Sequence, residues 1–224
     1  MSDVTDKMYD VMSVTKAVIG IMYYIHKPNT NEGLLNMKGY DEAWDYDDFR
    51  NQVEAETDLK AYAMGRLNRN TGGFSYCNLA YQVLASDMPD VATKFGEFIE
   101  RPVTSVTSNW ICGDGWKWEH SNGQPLGPHG LHMTEEVGCL FGAKARPFLQ
   151  GVESEPLGND GWHGCGSEVL QQYWHGWFFK GNIAYAIGYV SQMIAVSPET
   201  VQVQFYTEDW SNPNFQGCDF VLKF

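Results

Sequence analysis

The hydrophobic pattern is strongest near the start of the chain, where the run from Val14 to Ile25 is apolar nearly all round. A helix without a polar face is buried on every side, so this run predicts a helix inside the core that ends at His26-Lys27-Pro28-Asn29. Four further segments are predicted to be helical, and Thr134 is expected to cap the last of them. These segments are Leu59 to Leu67, Leu79 to Ala85, Val91 to Ile99 and 135–143.

The C-terminal part changes to short runs rich in β-branched and aromatic residues, with turn residues between them. Such runs predict strands, and the turns at Lys180-Gly181-Asn182 and Ser197-Pro198-Glu199-Thr200 predict an antiparallel meander. In the run Val201 to Phe205, apolar residues alternate with Gln, so one face is predicted to lie against the core. The predicted strands are Trp174 to Phe179, Ile183 to Ile187, Gln192 to Val196 and Val201 to Tyr206.

The remaining segments are polar or rich in Gly, Asn and Pro, and we interpret them as loops, turns and short helices. They cover 28–58, 68–73, 103–130 and 151–168. Together the elements predict an α/β fold of the α+β type, in which an antiparallel β-sheet packs with helices. We expect one domain, with residues 1–27 and 168–224 in the sheet-and-helix part and a helical, loop-rich insertion over about 28–167.

Charge restricts the partners of the chain. With 15 Lys and Arg against 28 Asp and Glu, it carries a formal net charge of −13. Nucleic-acid backbones and anionic membranes bind basic patches, so both classes of partner are excluded. The negative charge is densest over residues 41–58, which we interpret as a solvated helix face. No segment approaches the length of about 18 apolar residues that a membrane span needs.

The five cysteines are irregularly spaced and none belongs to a Cys-x-x-Cys pair, so no disulfide framework, zinc site or cofactor is predicted. His129-x-x-His132 has a spacing seen in metal sites, but no third ligand stands at helical spacing, and loop histidines are the alternative. The N-terminus shows no secretory signal, so we expect a soluble, cytoplasmic protein. A secreted protein whose signal has been removed would have the same sequence.

Ser13-Val14-Thr15-Lys16 carries the chemistry that the sequence indicates most directly. Positions i and i+3 share one face of a helix, so Lys16 would stand beside Ser13 and could accept its proton. The N-terminus of the predicted buried helix would add backbone amides and the positive end of the helix dipole. This is the layout of an activated serine nucleophile, and a chance Ser-x-x-Lys is the alternative.

Two more segments line up with this one along the chain, Tyr76-x-Asn78 and Ala186-Ile187-Gly188. In this order the three segments resemble the serine β-lactamase and penicillin-binding-protein superfamily. Within it they resemble the class C β-lactamase-related group of carboxypeptidases, esterases and 6-aminohexanoate-oligomer hydrolases. Gly130-Leu131-His132-Met133-Thr134 looks like the "GGLxMT" segment of that group, and His175-Gly176-Trp177 looks like its "YGxGW" strand. The resemblance spans roughly residues 8–206.

The resemblance implies a β-lactamase/transpeptidase-like fold and a serine hydrolase that forms an acyl-enzyme on a small-molecule amide or ester. It implies that Ser13 attacks the carbonyl carbon, and that Lys16 is the base or holds the proton network beside it. Tyr76 would relay a proton to the leaving group and help to activate the deacylating water. Asn78 would hydrogen-bond Lys16 or a substrate amide.

The third motif would serve the substrate. The resemblance implies that the backbone N–H groups of Ser13 and Tyr189 form the oxyanion hole, and that Gly188 lets the substrate approach the strand closely. Members of the family usually open this motif with Lys or His, where this chain has Ala186. A cation for a substrate carboxylate is therefore missing, which favours esterase-like or amide-oligomer relatives over penicillins or peptidyl-D-alanine.

Several alternatives stay open. Family members carry several dozen residues before the serine and this chain has twelve, which indicates a smaller sheet, a sheet completed by a second chain or oligomer, or a reduced relative. Such a relative would be a catalytically weak or inactive module that binds a ligand or a protein partner. Cys165 beside His163 is an alternative thiol nucleophile. Trp110, Trp116 and Trp118 are candidates for a cleft wall or for core packing, and an unrelated Trp-rich binding domain is a further alternative.

Overall fold

A computed structural model of the chain describes residues 7–157, 170, 172–189 and 192–205. Its helices are α1 (Val14–His26), α2 (Glu32–Leu35), α3 (Tyr46–Glu54), α4 (Leu59–Arg66), α5 (Asn78–Asp87), α6 (Val91–Phe98) and α7 (Glu135–Leu149). Its strands are β1 (Tyr9–Asp10), β2 (Lys38–Glu42), β3 (Leu67–Phe74), β4 (Val103–Val106), β5 (Trp110–Gly113), β6 (Trp116–Ser121), β7 (Gln124–Pro125), β8 (Leu131–Met133), β9 (Glu155–Pro156), β10 (Gln172–Trp174), β11 (Trp177–Lys180), β12 (Ile183–Gly188), β13 (Gln192–Val196) and β14 (Val201–Gln204). The predicted α/β fold, with antiparallel sheet packed on helices, is confirmed.

The C-terminal sheet has the order β14-β13-β12-β11-β10-β9, and every neighbouring pair is antiparallel. This confirms the predicted meander. The single strand predicted over Trp174 to Phe179 is wrong, because the chain reverses at His175 and Gly176, whose φ angles are +47° and +91°. The run therefore forms two paired strands, β10 and β11. The predicted end of the last strand, at Tyr206, lies outside the described residues.

A second antiparallel sheet has the order β1-β8-β6-β5-β4, with β7 paired to β6. Four of its strands, β4 to β7, lie in the segment 103–130 that was predicted to be loop-rich, so that prediction is wrong. In β6, Trp116 and Trp118 are buried while Lys117 and Glu119 are half-buried. This is the alternation of a strand with one face on the core. The predicted turn at 68–73 is also wrong, since it belongs to β3, which pairs with β2.

The predicted helices agree with the structure except at their ends. Helix α1 extends one residue past the predicted Ile25 and is buried over its first ten residues. Helix α7 begins after Thr134, whose side chain accepts a hydrogen bond from the Val137 amide, as predicted, but it continues to Leu149 and includes Pro147. Within the described residues, no helix has the length and hydrophobicity needed to cross a bilayer.

The acidic segment 41–58 is not simply a solvated helix face, so that interpretation is corrected. Asp45 caps α3 by accepting from the Asp48 amide, and Asp58 caps α4 by accepting from the Lys60 and Ala61 amides. A carboxylate that accepts helix N-terminal amides stabilises the helix through both hydrogen bonds and the helix dipole. Most acidic side chains of this segment are exposed, as interpreted, and two of them also cap helices.

Two glycines allow α1 and the residues just before it to pack closely against the C-terminal sheet. A Cβ on Gly176, in the turn between β10 and β11, would lie 2.5 Å from the Ala17 nitrogen of α1. A Cβ on Gly188, at the end of β12, would overlap the Val11 carbonyl oxygen just before the helix. Since β1 runs in the second sheet and α1 packs on β12, Ser13 lies where the two sheets meet.

Candidate active site

Helix α1 starts in a tight turn in which the Ser13 hydroxyl makes no capping hydrogen bond. Met12 has a φ of +50°, which is uncommon for a residue with a side chain, and its amide donates to the Asp10 carboxylate at 2.9 Å. Ser13 is the N-cap residue, but its side chain makes no capping hydrogen bond. A backbone strained in this way is often found next to reacting groups, where surrounding structure holds it.

Lys16 lies one turn further along α1 and points back at Ser13. Its Nζ donates to Ser13 Oγ at 2.7 Å and to the Pro128 carbonyl oxygen at 2.9 Å. The side chain is buried, with 1% of its surface exposed. Nζ also lies 5.1 Å from the centre of the Tyr76 ring. The structure therefore brings together three of the residues that the sequence analysis singled out, and Tyr76 joins Ser13 and Lys16 from a distant part of the chain.

Asn78 reaches the same region but bonds to a different partner from either of those expected. It is the first residue of α5, and its Nδ2 donates to Glu42 Oε1 at 3.0 Å. The same carboxylate accepts the Asn78 backbone amide at 2.7 Å and the Leu79 amide at 2.6 Å. Glu42 thus caps the helix that carries Asn78, a role that sequence reasoning did not assign. Cys77 precedes this cap and is buried, which raises the pKa of its thiol, as expected for a packing residue.

The third motif ends at the site. Gly188 is the last residue of β12 and packs against Val11, as described above, and Tyr189 follows it with 64% of its surface exposed. Ala186 is fully buried and pairs with Ile194 across the sheet. The position where the family that the sequence resembles carries a cation therefore holds a buried methyl group.

Of the predicted site residues, Ser13, Asn78 and Tyr189 border a cleft of about 530 Å³. Its walls are formed by Asp10, Met12, Ser13, Trp44, Tyr46, Asn78, Pro128, His129 and Tyr189. The aromatic wall comes from Trp44 and Tyr46 rather than from the tryptophans that the sequence suggested. Trp116 and Trp118 have no exposed surface and belong to the core. Predicting the aromatic wall would have required knowing that Trp44 and Tyr46, at the start of α3, border the same cleft as Ser13.

His129 contributes a neutral imidazole to this cleft. Burial, together with the nearby cations Arg50 and Lys16, lowers its pKa from 6.5 to about 3. Its ring packs against Tyr46 and Phe49, with ring centres 5.5 and 5.7 Å apart. Among the described residues its Nε2 is buried without a hydrogen-bond partner.

The histidine pair does not form a metal site with its surroundings. His132 contacts different side chains from His129, with Nε2 3.7 Å from the Asp10 carboxylate and its ring against Trp110. Burial lowers the pKa of His132 to about 4. Over the described part of the chain, no group of three or more His, Cys, Asp or Glu is placed to hold a metal ion. Cys165, the alternative nucleophile, lies outside the described residues.

Comparison with known proteins identifies a solved structure with a similar fold. No protein-family model matches the sequence, and neither does any curated protein. The solved structure of a "Putative 6-aminohexanoate-dimer hydrolase from Bacillus anthracis" matches with a TM-score of 0.58, covering 92% of this chain and 69% of that chain at 12% sequence identity. At this identity the likeness shows the fold, which is β-lactamase-like.

Proposed function

We propose that this chain is a serine hydrolase that forms an acyl-enzyme on a small-molecule amide or ester, with Ser13 as the nucleophile. The observation that carries the proposal is the 2.7 Å contact between Lys16 Nζ and Ser13 Oγ at the edge of an open cleft. Nucleophile and base within hydrogen-bond reach, with the base held by a third group, is the arrangement that activates a serine. Here the third group is the Pro128 carbonyl, which fixes Lys16 from the other side.

In the acylation step, the Ser13 hydroxyl proton passes to Lys16 as Oγ attacks the substrate carbonyl carbon. The backbone N–H groups of Ser13 and Tyr189 are proposed to stabilise the negative oxygen of the tetrahedral intermediate. Both residues border the cleft. The positive end of α1 points at the same place, which favours the charge that develops there.

When the tetrahedral intermediate collapses, the leaving group departs with a proton and Ser13 is left acylated. Tyr76, whose ring lies 5.1 Å from Lys16 Nζ, is proposed to pass on that proton. A water molecule then attacks the acyl carbonyl and gives its proton to the same pair, which returns a proton to Ser13 Oγ as the Oγ–acyl bond breaks and the acid is released. No cofactor takes part in the proposed reaction.

The cleft suggests which substrates fit. Ala186 offers no cation for a substrate carboxylate, and the walls formed by Trp44, Tyr46 and His129 are aromatic. We therefore propose uncharged acyl groups rather than penicillins or peptidyl-D-alanine. The Bacillus anthracis protein with the same fold is named as a hydrolase of a 6-aminohexanoate dimer, which supports hydrolysis here at the level of reaction class.

A second candidate is a catalytically weak or inactive module that binds a ligand or protein partner. Two observations favour it: the buried Ala186 in the third motif, and the Asn78 side chain bonded to Glu42 instead of to Lys16. The first candidate is preferred because the Ser13–Lys16 contact serves no purpose in a module that only binds.

Labelling with a fluorescent fluorophosphonate and with a fluorescent penicillin tests the proposal. We expect the fluorophosphonate to label the wild type and to fail on Ser13→Ala. Ser86→Ala is the matched control, because Ser86 lies on α5 and its hydroxyl donates to Gln124. Absence of covalent labelling in the wild type, or equal labelling of Ser13→Ala, would refute the hydrolase and favour the binding module.

A further inference from the structure

We propose that a second pocket, at the C-terminal end of α1, binds a small molecule that carries a primary ammonium group on an apolar chain. The pocket has a volume of about 490 Å³ and shares no described wall residue with the cleft beside Ser13. Tyr24, which forms part of its wall, follows Ser13 by about three helical turns, or about 16 Å along the axis of α1. The proposal is therefore independent of the hydrolase function.

Two carboxylates and two helix ends make this pocket electrically negative. Glu32 and Glu153 border it, and both residues are exposed. Tyr24 and Phe148, in the last turns of α1 and α7, also border it. Carbonyl groups in the last turn of a helix have no partner within the helix, and the helix dipole favours cations there. None of the described wall residues is Lys or Arg, so the pocket favours a cationic ligand.

His175 holds one of these carboxylates in place without cancelling its charge. Its Nε2 lies 2.9 Å from Glu32 Oε2, and 2% of the histidine side chain is exposed against 50% of the glutamate side chain. Burial lowers the pKa of His175, so at pH 7.5 the imidazole is neutral and donates to Glu32 through Nε2. Its Nδ1 is then an acceptor, and no described residue donates to it. Glu32 therefore keeps its negative charge at the wall of the pocket.

Aromatic rings make an organic cation the favoured ligand. Tyr24 is 44% exposed and packs edge-on against Trp174 and Phe148, with ring centres 5.3 and 6.0 Å apart. The Trp174 ring is itself stacked on His175 at 4.1 Å, which fixes its orientation. An ammonium group is attracted to a ring face, and an alkyl chain gains from contact with the rings. A primary ammonium also donates hydrogen bonds to carboxylates, which a quaternary ammonium cannot do.

Calorimetric titration with pentylamine tests the proposal. At pH 7.5 and low salt we expect one pentylammonium to bind per chain, about tenfold or more tightly than 1-pentanol, which has the same chain without the charge. Glu153→Gln removes a charged acceptor and should weaken the binding by about fivefold or more. Tyr24→Leu removes the exposed ring and should have a similar effect.

Two matched controls locate the bound amine. Glu54→Gln removes the same charge from an exposed position on α3, and Tyr46→Leu removes a ring of similar exposure, 49%, from the cleft beside Ser13. Both variants should bind pentylammonium as the wild type does. Equal weakening in Glu54→Gln and Glu153→Gln would show a non-specific attraction to the acidic chain and would overturn the inference. Binding that is lost in Tyr46→Leu and kept in Tyr24→Leu would also overturn it, because the amine would then lie in the cleft beside Ser13.

Glu153→Gln decides the outcome if Tyr24→Leu is destabilised, because Glu153 is exposed and its replacement leaves the packed rings intact. A wild type that does not bind pentylamine, or that binds 1-pentanol equally well, overturns the inference. Fluorophosphonate labelling of Ser13 reports on the hydrolase proposal separately. The failure of either proposal therefore leaves the other standing.

Discussion

Two helices bring motif residues to the cleft, and the structure treats their N-termini in opposite ways. At α5 the Glu42 carboxylate accepts the first two backbone amides and the Asn78 side chain. At α1 no side chain caps the helix, and its first turn contains no acidic residue. The first amides of α1 donate instead to the backbone carbonyls of Val11, Met12 and Ser13, so this helix begins without a carboxylate on its amides.

The two helices are held in place by different kinds of interaction. Helix α5 is fixed through hydrogen bonds at its N-terminus, whereas α1 is fixed by close backbone packing at Gly176 and Gly188. A carboxylate placed at the start of α1 would oppose the negative charge of a tetrahedral intermediate and would compete for Lys16. Packing holds α1 without a carboxylate on its own helical amides, and the Asp10 carboxylate accepts the Met12 amide just before the helix.

The largest expected effect is on catalytic activity, when Lys16 near the N-terminus of α1 is replaced. Lys16→Met keeps an unbranched side chain but removes the group in contact with Ser13, so kcat/KM for a nitrophenyl ester should fall by about a thousandfold or more. Lys27→Met is the matched control, since Lys27 follows the same helix at its other end and donates to the Asp87 carbonyl. It should retain near wild-type activity. Similar losses in both variants would contradict a special role for Lys16.

The next largest effect is expected on stability, from the close packing of α1 against Gly176. Gly176→Ala introduces a Cβ 2.5 Å from the Ala17 nitrogen at a φ of +91°, so we expect a loss of about 3 kcal/mol or more in the free energy of unfolding. Gly181→Ala is the control, because Gly181 lies in the next turn of the same sheet with a φ of +58° and open space around it. It should cost about 1 kcal/mol through backbone strain alone. Urea unfolding measures both, and equal losses would show that contact with α1 is unimportant.

The two helix N-termini can then be compared by stability. Glu42→Ala leaves the Asn78 and Leu79 amides of α5 without their acceptor, and it should lower the free energy of unfolding by about 2 kcal/mol. Ser13→Ala removes no helix cap, but it takes away one of the two acceptors of the buried Lys16 Nζ, so it should lower that free energy by about 1 kcal/mol, less than Glu42→Ala. Urea unfolding of the two variants at pH 7.5 tests the comparison. An equal loss in the free energy of unfolding for Ser13→Ala and Glu42→Ala would contradict the comparison.

Local sequence patterns were sufficient to predict much of this arrangement. The apolar run of α1 and the alternating C-terminal strands predict their own structure because burial is written into neighbouring residues. Ser13 and Lys16 lie one helical turn apart, so their contact followed from the spacing. Tyr76 was predicted to join them only through the resemblance to a family of known fold.

The features that escaped prediction depend on contacts between distant residues. Glu42 lies in an acidic segment that looks solvated, and its role emerges only when β2 pairs with β3 and meets the start of α5. The strands of the second sheet have two to six residues, too few for a clear alternation beside their turn residues. The reversal at His175 needed a positive φ at a non-glycine residue inside an aromatic run.

The smallest expected effect is on the pH dependence of stability. It comes from His129, which borders the same cleft as Ser13 at the N-terminus of α1. Its pKa is about 3 in the folded protein and 6.5 as an ordinary histidine, so between these values the unfolded chain binds a proton that the folded chain does not. This contribution to stability is complete above pH 6.5 and is lost as the pH falls toward 3. From pH 7.5 to pH 6.0 it amounts to about 1 kcal/mol.

His129→Phe isolates that contribution, because a phenyl ring can pack against Tyr46 and Phe49 without titrating. His26, His132 and His175, whose pKa values are also lowered, remain in both proteins and cancel from the comparison. Urea unfolding should show that the variant loses about 1 kcal/mol less than the wild type between pH 7.5 and pH 6.0. Equal losses would mean that His129 titrates normally, and that the start of α1 is more open to water than its burial indicates.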